Sequence, residues 1–149
     1  MKIGIAGTHS TGKTTILEFV AQGIRNAGFT TTRVSDLAST AREAGFPILR
    51  DHTFESTLWI MARGICEELE AALKFDVVLV DRPVPDALGY LYAALNHRRQ
   101  ELPEEEIAYL KTLTRMHAST YAALFQTSSL SLMKSRGMVK FCLVLLLSV

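Results

Sequence analysis

The chain has 149 residues, 48% of them hydrophobic and 21% charged, with a formal net charge of +1. This length predicts one domain over residues 1–149, and the near-zero charge excludes a global electrostatic attraction to nucleic acid or anionic lipid. Cys66 and Cys142 lie far apart without C-x-x-C spacing, which argues against a zinc site and a disulfide framework. Because no export signal precedes the first apolar run, we expect a cytoplasmic protein. Because the net charge is close to zero, we expect it to bind neither nucleic acid nor membrane.

The charged residues are unevenly distributed along the chain. All 15 acidic residues lie at or before Glu106, whereas residues 107–149 carry five Lys or Arg residues and no acid. A basic C-terminal third is suited to phosphates or to an anionic substrate, and a chance composition in a partly buried segment explains it equally well. The sequence leaves both interpretations open.

Residues 7–14 read G-x-x-x-x-G-K-[ST] and directly follow an apolar run at residues 3–6. Apolar residues at helical spacing come next, so the pattern predicts a buried strand, a tight loop and a helix. The first N–H groups of a helix have no partner inside it and bind anions. The segment is therefore predicted to be a P-loop that binds the phosphates of a nucleotide.

Individual positions of this loop have predicted roles. Gly7 and Gly12 let the backbone approach the phosphates, and Lys13 places a positive charge near the β- and γ-phosphoryl oxygens. Thr14 is predicted to bind Mg²⁺ through its hydroxyl. His9 is interpreted as an exposed loop residue rather than a catalyst. The predicted nucleotide-binding residues are Gly7, Thr8, His9, Ser10, Thr11, Gly12, Lys13, Thr14 and Thr15.

A second strand is predicted at residues 29–34, after a helix that ends near Gly28. Ser35 and Asp36 follow this strand. Ligands of an open parallel sheet bind beyond the carboxyl ends of its strands, so Asp36 is a candidate catalytic base or partner of a substrate hydroxyl. A turn or helix-capping role explains the same aspartate.

Two helices are predicted next. A short one shows capping-box spacing at residues 40–43, and a long one with an apolar stripe runs over residues 53–74. Trp59 and Arg63 lie four residues apart on the long helix. They either stack on and pair with a substrate, or serve as a packed ring and a solvated charge.

Residues 75–80 form a continuous apolar run of strand-forming residues that ends at Asp81. A run in which polar and apolar residues do not alternate is typical of a central parallel strand, which is buried on both faces. Together with a P-loop, the pattern predicts a Walker B strand whose Asp81 holds Mg²⁺ opposite the Thr14 hydroxyl. Without a metal, Asp81 is an ordinary aspartate at a strand end.

The residues around Asp81 favour one class of P-loop protein over two others. An ATP-driven motor is expected to carry Glu after the Walker B aspartate, where this chain has Arg82, and the Asn-Lys-x-Asp motif expected of a GTPase is absent from the sequence. Asp81-Arg82-Pro83 resembles instead the segment after the third strand in thymidylate kinases and deoxynucleoside kinases. That resemblance implies that Arg82 binds the substrate or its phosphate, for which a planar guanidinium is suited.

Two helices and a strand follow in the prediction. One helix covers residues 84–97, and another opens at Pro103 with three glutamates in its first turn. Residues 121–126 are predicted to form the strand beside the P-loop strand. Arg98 and Arg99, between the helices, either cover a bound nucleotide or belong to a solvated loop.

Residues 2–14 and the strand at residues 77–82 together resemble the small AAA-type ATPase and kinase-like group, which includes the ribosylnicotinamide-kinase domain. The resemblance covers roughly residues 1–126. It implies an α/β P-loop NTPase fold, a three-layer sandwich whose parallel sheet has the P-loop strand at its centre and helices on both faces. It also implies ATP and Mg²⁺ as cofactors and phosphoryl transfer to a small molecule.

The predicted function is Mg²⁺-dependent transfer of the γ-phosphoryl group of ATP to a nucleoside, nucleotide or similar metabolite. Lys13, Mg²⁺ on Thr14 and Asp81, and Arg82 supply the charge, with Asp36 as the acceptor-side base. Two alternatives stay open: a nucleotide-dependent ATPase or switch that acts on a protein partner, and a domain that binds nucleotide without turnover.

From about residue 127 the chain departs from this resemblance. Lys134 and Arg136 precede the apolar run at residues 139–147, which is too short to span a membrane. Either the run is the last buried strand, with the two cations in a reduced lid, or the end of the chain is truncated or frameshifted.

Overall fold

The structure is a computed structural model that describes residues 1–7, 13–35, 37–128 and 142–146, with the backbone alone described for Ser128 and 142–146. The strands in these ranges are β1 (Lys2–Gly7), β2 (Thr31–Val34), β3 (Val77–Asp81), β4 (Ala123–Ser128) and β5 (Cys142–Leu146). The helices are α1 (Lys13–Asn26), α2 (Leu37–Glu43), α3 (Phe54–Ala72), α4 (Val84–Arg98) and α5 (Glu104–Ala118), with a short 3-10 turn at Leu49–Asp51. None of the helices described is long and apolar enough to cross a membrane.

β1 lies at the centre of a five-stranded sheet whose order is β2-β3-β1-β4-β5. The first four of these strands are parallel, and Ile3 of β1 is paired with Leu79 on one side and with Ala123 on the other. The predicted α/β fold, with a parallel sheet and the P-loop strand at its centre, is confirmed for these four strands.

The fifth strand departs from the predicted parallel sheet. β5 runs antiparallel to β4, with Leu146 paired with Leu124 and Cys142 paired with Ser128. An antiparallel edge strand is common on otherwise parallel sheets, because its backbone pairs equally well along the free edge. A strand within the apolar run at residues 139–147 agrees with the last-strand interpretation, while Lys134 and Arg136 lie outside the described residues.

Helices cover both faces of the sheet, as a three-layer sandwich requires. On one face Leu17 of α1 packs in a cluster with the buried sheet residues Ile5, Val77 and Leu79. On the other face the residues that pack with α3 and α5 are Val34, Val78, Val80, Tyr121 and Leu124. The four apolar residues of β3 therefore point alternately to opposite faces and pack in apolar clusters on both, which explains why polar and apolar residues do not alternate in this run.

A side-chain contact explains why β2 and β3 begin two residues later than predicted. The Asp76 carboxylate accepts hydrogen bonds from the Thr30 backbone N–H at 2.8 Å and from the Thr30 hydroxyl at 2.6 Å. This contact joins the two chain segments ahead of their first ladder pair, Thr31 with Val77. The hydrophobic pattern carries no information about such a contact.

The helix predictions agree with the structure except at the start of α2. This helix begins at Leu37, so Thr40 lies inside it and the capping box predicted at residues 40–43 is wrong. Leu37 and Ala41 are both buried, and their packing extends the helix upstream of Thr40. A capping box is present at α3 instead, where Ser56 N–H donates to the Thr53 hydroxyl at 3.3 Å and Thr53 N–H donates to the Ser56 hydroxyl at 2.9 Å.

Candidate functional site

A hydrogen bond joins the carboxyl end of β1 to the start of α1. The Lys13 ammonium, on the first residue of α1, donates to the Gly7 carbonyl oxygen at 2.8 Å. Burial lowers the pKa of Lys13, and the nearby Arg82 charge lowers it further, while Asp81 and Asp86 act in the opposite direction. A buried ammonium at the start of a helix is placed to meet an anion, whose charge would stabilise the protonated form.

Gly7 occupies a position that a side chain would not fit. Its backbone φ is 137°, which L-residues rarely adopt. A Cβ atom on Gly7 would lie 2.6 Å from the Thr127 carbonyl oxygen of β4 and would also contact the Thr127 hydroxyl. Because the obstruction includes backbone of a neighbouring strand, glycine is required where β1 leaves the sheet.

Asp81 ends β3 beside β1, in register with Ile5. Its Oδ2 atom accepts a hydrogen bond from the Arg33 guanidinium, which ties the end of β3 to β2. Its Oδ1 atom is buried and has no hydrogen-bond partner among the described residues. A buried carboxylate oxygen is costly without a partner, and hard divalent cations prefer such oxygens. Oδ1 therefore suits a cation such as Mg²⁺.

Arg82 has a left-handed backbone conformation, with a φ of 65°. Its N–H donates to the Ile5 carbonyl oxygen at 3.1 Å, and its guanidinium donates to the Tyr90 hydroxyl of α4. The guanidinium carbon lies 5.2 Å from the centre of the Tyr90 ring, which is a cation–π contact. This backbone conformation costs a non-glycine residue about 1–2 kcal/mol, so these contacts hold Arg82 in a strained position of the kind found at functional sites.

Asp86, in the first turn of α4, connects that helix to the loop after β1. Its Oδ2 atom accepts a hydrogen bond from the Gly7 N–H at 3.4 Å. Burial holds the pKa of Asp86 above its ordinary value, and the charge of Asp81 acts in the same direction, although the Gly7 N–H, Arg82 and Lys13 oppose both. Two carboxylates and two cations thus interact at the carboxyl ends of β1 and β3.

A cleft of about 510 Å³ opens beside this group of charges, at the carboxyl ends of β2 and β3. Helix α2, the 3-10 turn and α4 contribute its other walls. Ligand sites of open α/β sheets lie at this edge, and the volume is typical of a small-molecule site. Its polar lining includes Arg33, Arg42, His52, Asp81, Arg82 and Tyr90.

His52 is the buried member of this lining. Its Nδ1 atom lies 3.2 Å from the Ser56 hydroxyl, and burial lowers the pKa of its imidazole, with the Arg98 charge acting in the same direction. The ring is therefore uncharged at neutral pH. Arg98 donates to the carbonyl oxygens of Arg50 and His52, and so fixes the segment before α3. Neither interpretation of Arg98 from the sequence anticipated this structural role.

Comparison with known proteins decides the family. A family model described as an AAA domain matches residues 2–128, which is more than half of the chain. The chain belongs to this AAA-domain family. A comparison with curated proteins gave no match. The resemblance drawn from residues 2–14 and 77–82 is thereby confirmed, and the AAA domain is a P-loop domain of the nucleotide-binding, NTPase type.

The AAA domain brings four of the predicted site residues together. Gly7, Asp81 and Arg82 lie at the carboxyl ends of β1 and β3, and Lys13 begins α1. Lys13 donates a hydrogen bond to Gly7, and its pKa responds to the charges of Asp81 and Arg82. The remaining predicted residues are Thr14 and Thr15, which are exposed on the first turn of α1, and Thr8, His9, Ser10, Thr11, Gly12 and Asp36, which lie outside the described residues. The functional roles assigned to the residues of both groups stay predictions.

Trp59 and Arg63 have partners inside the AAA domain. The Trp59 ring packs on Phe46 with 5.3 Å between ring centres, and Arg63 pairs with Glu67 at 2.7 Å on the exposed side of α3. These contacts agree with the packed ring and solvated charge, and not with stacking and pairing on a substrate.

Several residues of the site were missed by sequence reasoning. Asp86 and Tyr90 lie one helical turn apart on the helix that follows Asp81, so their spacing carried a usable signal. Arg33, Arg42 and His52 carried none, because their nearness to the cleft depends on how β2, α2 and the 3-10 turn pack.

Proposed function

We propose that this AAA domain transfers the γ-phosphoryl group of ATP to a small molecule bound in the cleft. The observation that carries the proposal is that Asp81 and Arg82 line the cleft, while their charges also act on Lys13 at the start of α1. A phosphotransferase needs its two substrates side by side at such a position. An ATPase that acts on a protein partner has no need of a second small-molecule site there.

On the donor side, the P-loop and the first turn of α1 bind the phosphates of ATP. Lys13 exchanges its hydrogen bond with the Gly7 carbonyl for the β- and γ-phosphoryl oxygens. Thr14 and Oδ1 of Asp81 would hold Mg²⁺, which supplies charge neutralisation on these oxygens. Arg33 occupies Oδ2 of Asp81 and thereby orients the carboxylate.

On the acceptor side, an oxygen of the acceptor forms a bond to the γ-phosphorus of ATP. The bond between that phosphorus and the β,γ-bridging oxygen breaks, and ADP leaves with the electron pair. If the acceptor oxygen is a hydroxyl, its proton passes to a base, for which Asp36, the residue after Ser35, is the candidate. Arg82 stabilises the negative charge of the acceptor and of the transferred group.

Transfer of labelled γ-phosphate from ATP, with Mg²⁺ present, tests the proposal against a panel of nucleosides, nucleotides and sugar phosphates. We expect wild-type protein to label one acceptor class, and removal of Mg²⁺ with EDTA to abolish labelling. Lys13→Ala should lower the rate at least ~100-fold because it removes the charge at the γ-phosphate. Lys74→Ala, at an exposed lysine after α3, is the matched control and should behave as wild type.

Three outcomes would contradict this function. ATP hydrolysis that ignores every acceptor but rises with a protein partner would favour the ATPase or switch. ATP binding without turnover of any kind would favour a binding domain. Near-normal transfer by Lys13→Ala would contradict the assignment of the P-loop as the catalytic phosphate site.

A further inference from the structure

Helix α2 presents an arginine to the cleft that has no partner in the part of the chain that the structure describes. The Arg42 side chain is exposed and lines the cleft, and its guanidinium makes no hydrogen bond or ion pair with a described residue. The two other arginines of the lining are engaged, Arg33 with Asp81 and Arg82 with Tyr90. Arg42 is therefore available to a ligand.

Two serine hydroxyls accompany Arg42 in the cleft wall. Ser39 precedes Arg42 by three residues on α2, so the two side chains lie one turn apart on the same face of the helix. Ser35, the residue directly after β2, lines the cleft as well. Neither hydroxyl forms a hydrogen bond with any residue in the described ranges. A guanidinium fork and two hydroxyls thus form a group of donors without an acceptor among the described residues.

The charge of the lining has the sign that an anion requires. Its described residues include three arginines and one carboxylate, Asp81, and His52 is uncharged at neutral pH. The whole chain has a net charge of only +1, so the positive potential belongs to the cleft and not to the protein in general. Walls of low dielectric concentrate such a field on a bound ligand.

We propose that the ligand of this cleft is a phosphate monoester, whose dianionic phosphate is bound by Arg42 together with Ser35 and Ser39. A guanidinium can donate two parallel hydrogen bonds to phosphate oxygens, which a lone ammonium cannot. The inference rests on the proposed function, in which this ligand is the phosphoryl acceptor. Arg42 then selects a phosphorylated acceptor over its uncharged parent. The phosphates of ATP bind elsewhere, because no described residue of α1 lines the cleft.

Arg25→Ala is a matched control for Arg42→Ala, because both arginines lie at the end of a helix. Arg42 lies in the last turn of α2, where a cation interacts favourably with the helix dipole whether or not a ligand is present. Arg25 holds the equivalent position in the last turn of α1 and is also exposed, but it does not line the cleft. Arg42→Ala and Arg25→Ala should therefore lose a similar amount of stability through the helix dipole.

Calorimetric titration tests the inference without any transfer reaction. The probes are AMP, GMP, CMP, UMP, dTMP and ribose 5-phosphate, each compared with its unphosphorylated parent, with Mg²⁺ and ADP present to fill the P-loop. We expect wild type to bind at least one phosphate monoester ~10-fold or more tightly than its parent. Arg42→Ala should weaken that binding about 10–100-fold and remove the preference, while Arg25→Ala leaves it unchanged.

Three results would each overturn the inference. The wild type could bind a monophosphate and its parent with equal affinity, or bind no phosphorylated probe at all, or Arg42→Ala could bind as tightly as wild type. The two proposals fail in different ways. Phosphate-selective binding that depends on Arg42, but without labelled product from ATP, contradicts only the phosphotransferase. Transfer to an uncharged acceptor that Arg42→Ala does not alter contradicts only the phosphate monoester.

Discussion

Lys2 and Glu68, 66 positions apart in the chain, form a buried ion pair in which Nζ lies 3.1 Å from Oε2. The same oxygen lies 2.7 Å from Nε2 of His117, and Oε1 accepts a hydrogen bond from the Tyr121 hydroxyl at 2.6 Å. These contacts join the start of β1 to α3, to α5 and to the segment before β4. The cluster therefore holds the amino end of the sheet, opposite the candidate site.

Removal of the charge on Glu68 should destabilise the protein strongly. Glu68→Gln leaves the buried Lys2 ammonium without its counter-ion, and we expect the free energy of unfolding to fall by about 3 kcal/mol. The neighbouring Glu67→Gln removes an exposed pair with Arg63 and should cost less than about 0.5 kcal/mol. Urea denaturation of both variants at neutral pH measures the difference, and equal losses would show that burial of the pair is irrelevant.

Acid should remove the contribution of Glu68. Burial raises the pKa of this carboxyl, but hydrogen bonds from His117, Tyr121 and Lys2 lower it more, so the pKa lies below its ordinary value of 4.5. The stabilisation is therefore present above about pH 4.5 and is lost as the pH falls through the folded-state pKa. Melting temperatures of wild type and Glu68→Gln should converge as the pH falls below about 4.5. A difference in melting temperature between the two proteins that stays constant into strong acid would contradict this prediction.

Neutralisation of Asp86 should stabilise the protein. Burial and the charge of Asp81 hold the pKa of Asp86 above its ordinary value, so its ionised form is disfavoured in the folded state and costs stability above the unfolded-state pKa. Asp86→Asn keeps an acceptor for the Gly7 N–H and removes the charge. We expect its melting temperature at neutral pH to rise by roughly 2–4 °C.

The pH dependence distinguishes this charge effect from a change in packing. The rise in melting temperature of Asp86→Asn should disappear below about pH 3.8, the ordinary pKa of an aspartate, because the carboxyl is then protonated in both the folded and the unfolded state. Calorimetric melting across this range is the measurement. Lower stability of Asp86→Asn at neutral pH would show that the ionised carboxylate stabilises the fold.

Gly7 should tolerate alanine far less well than Gly28. Both have positive φ, 137° and 89°, but a Cβ atom on Gly28 has nothing within 4 Å, whereas one on Gly7 would lie 2.6 Å from the Thr127 carbonyl oxygen. Gly28→Ala should therefore cost about 1 kcal/mol, and Gly7→Ala more than about 3 kcal/mol. Denaturant unfolding compares them, and similar costs would mean that β4 yields to the added methyl group.

Local sequence determined the P-loop and the central strands of this protein. The motif at residues 7–14 is contiguous, and the run that ends at Asp81 is buried on both faces, so its apolar pattern reports its position directly. The central place of β1 in the sheet followed from the family resemblance that these two motifs carry. Asp81 and Arg82 were found because they follow such a run.

Tertiary packing decided which further side chains join the predicted residues at the site. Arg33 reaches Asp81 across 48 positions, and Arg42 and His52 line the cleft because α2 and the 3-10 turn fold over the end of β2. The capping box predicted at Thr40 is wrong for a related reason, because the buried packing of Leu37 places the start of α2 upstream of Thr40. Hydrophobic periodicity reports how each segment is buried, but the partners of a charged side chain depend on segments far away in the chain, which no local pattern encodes.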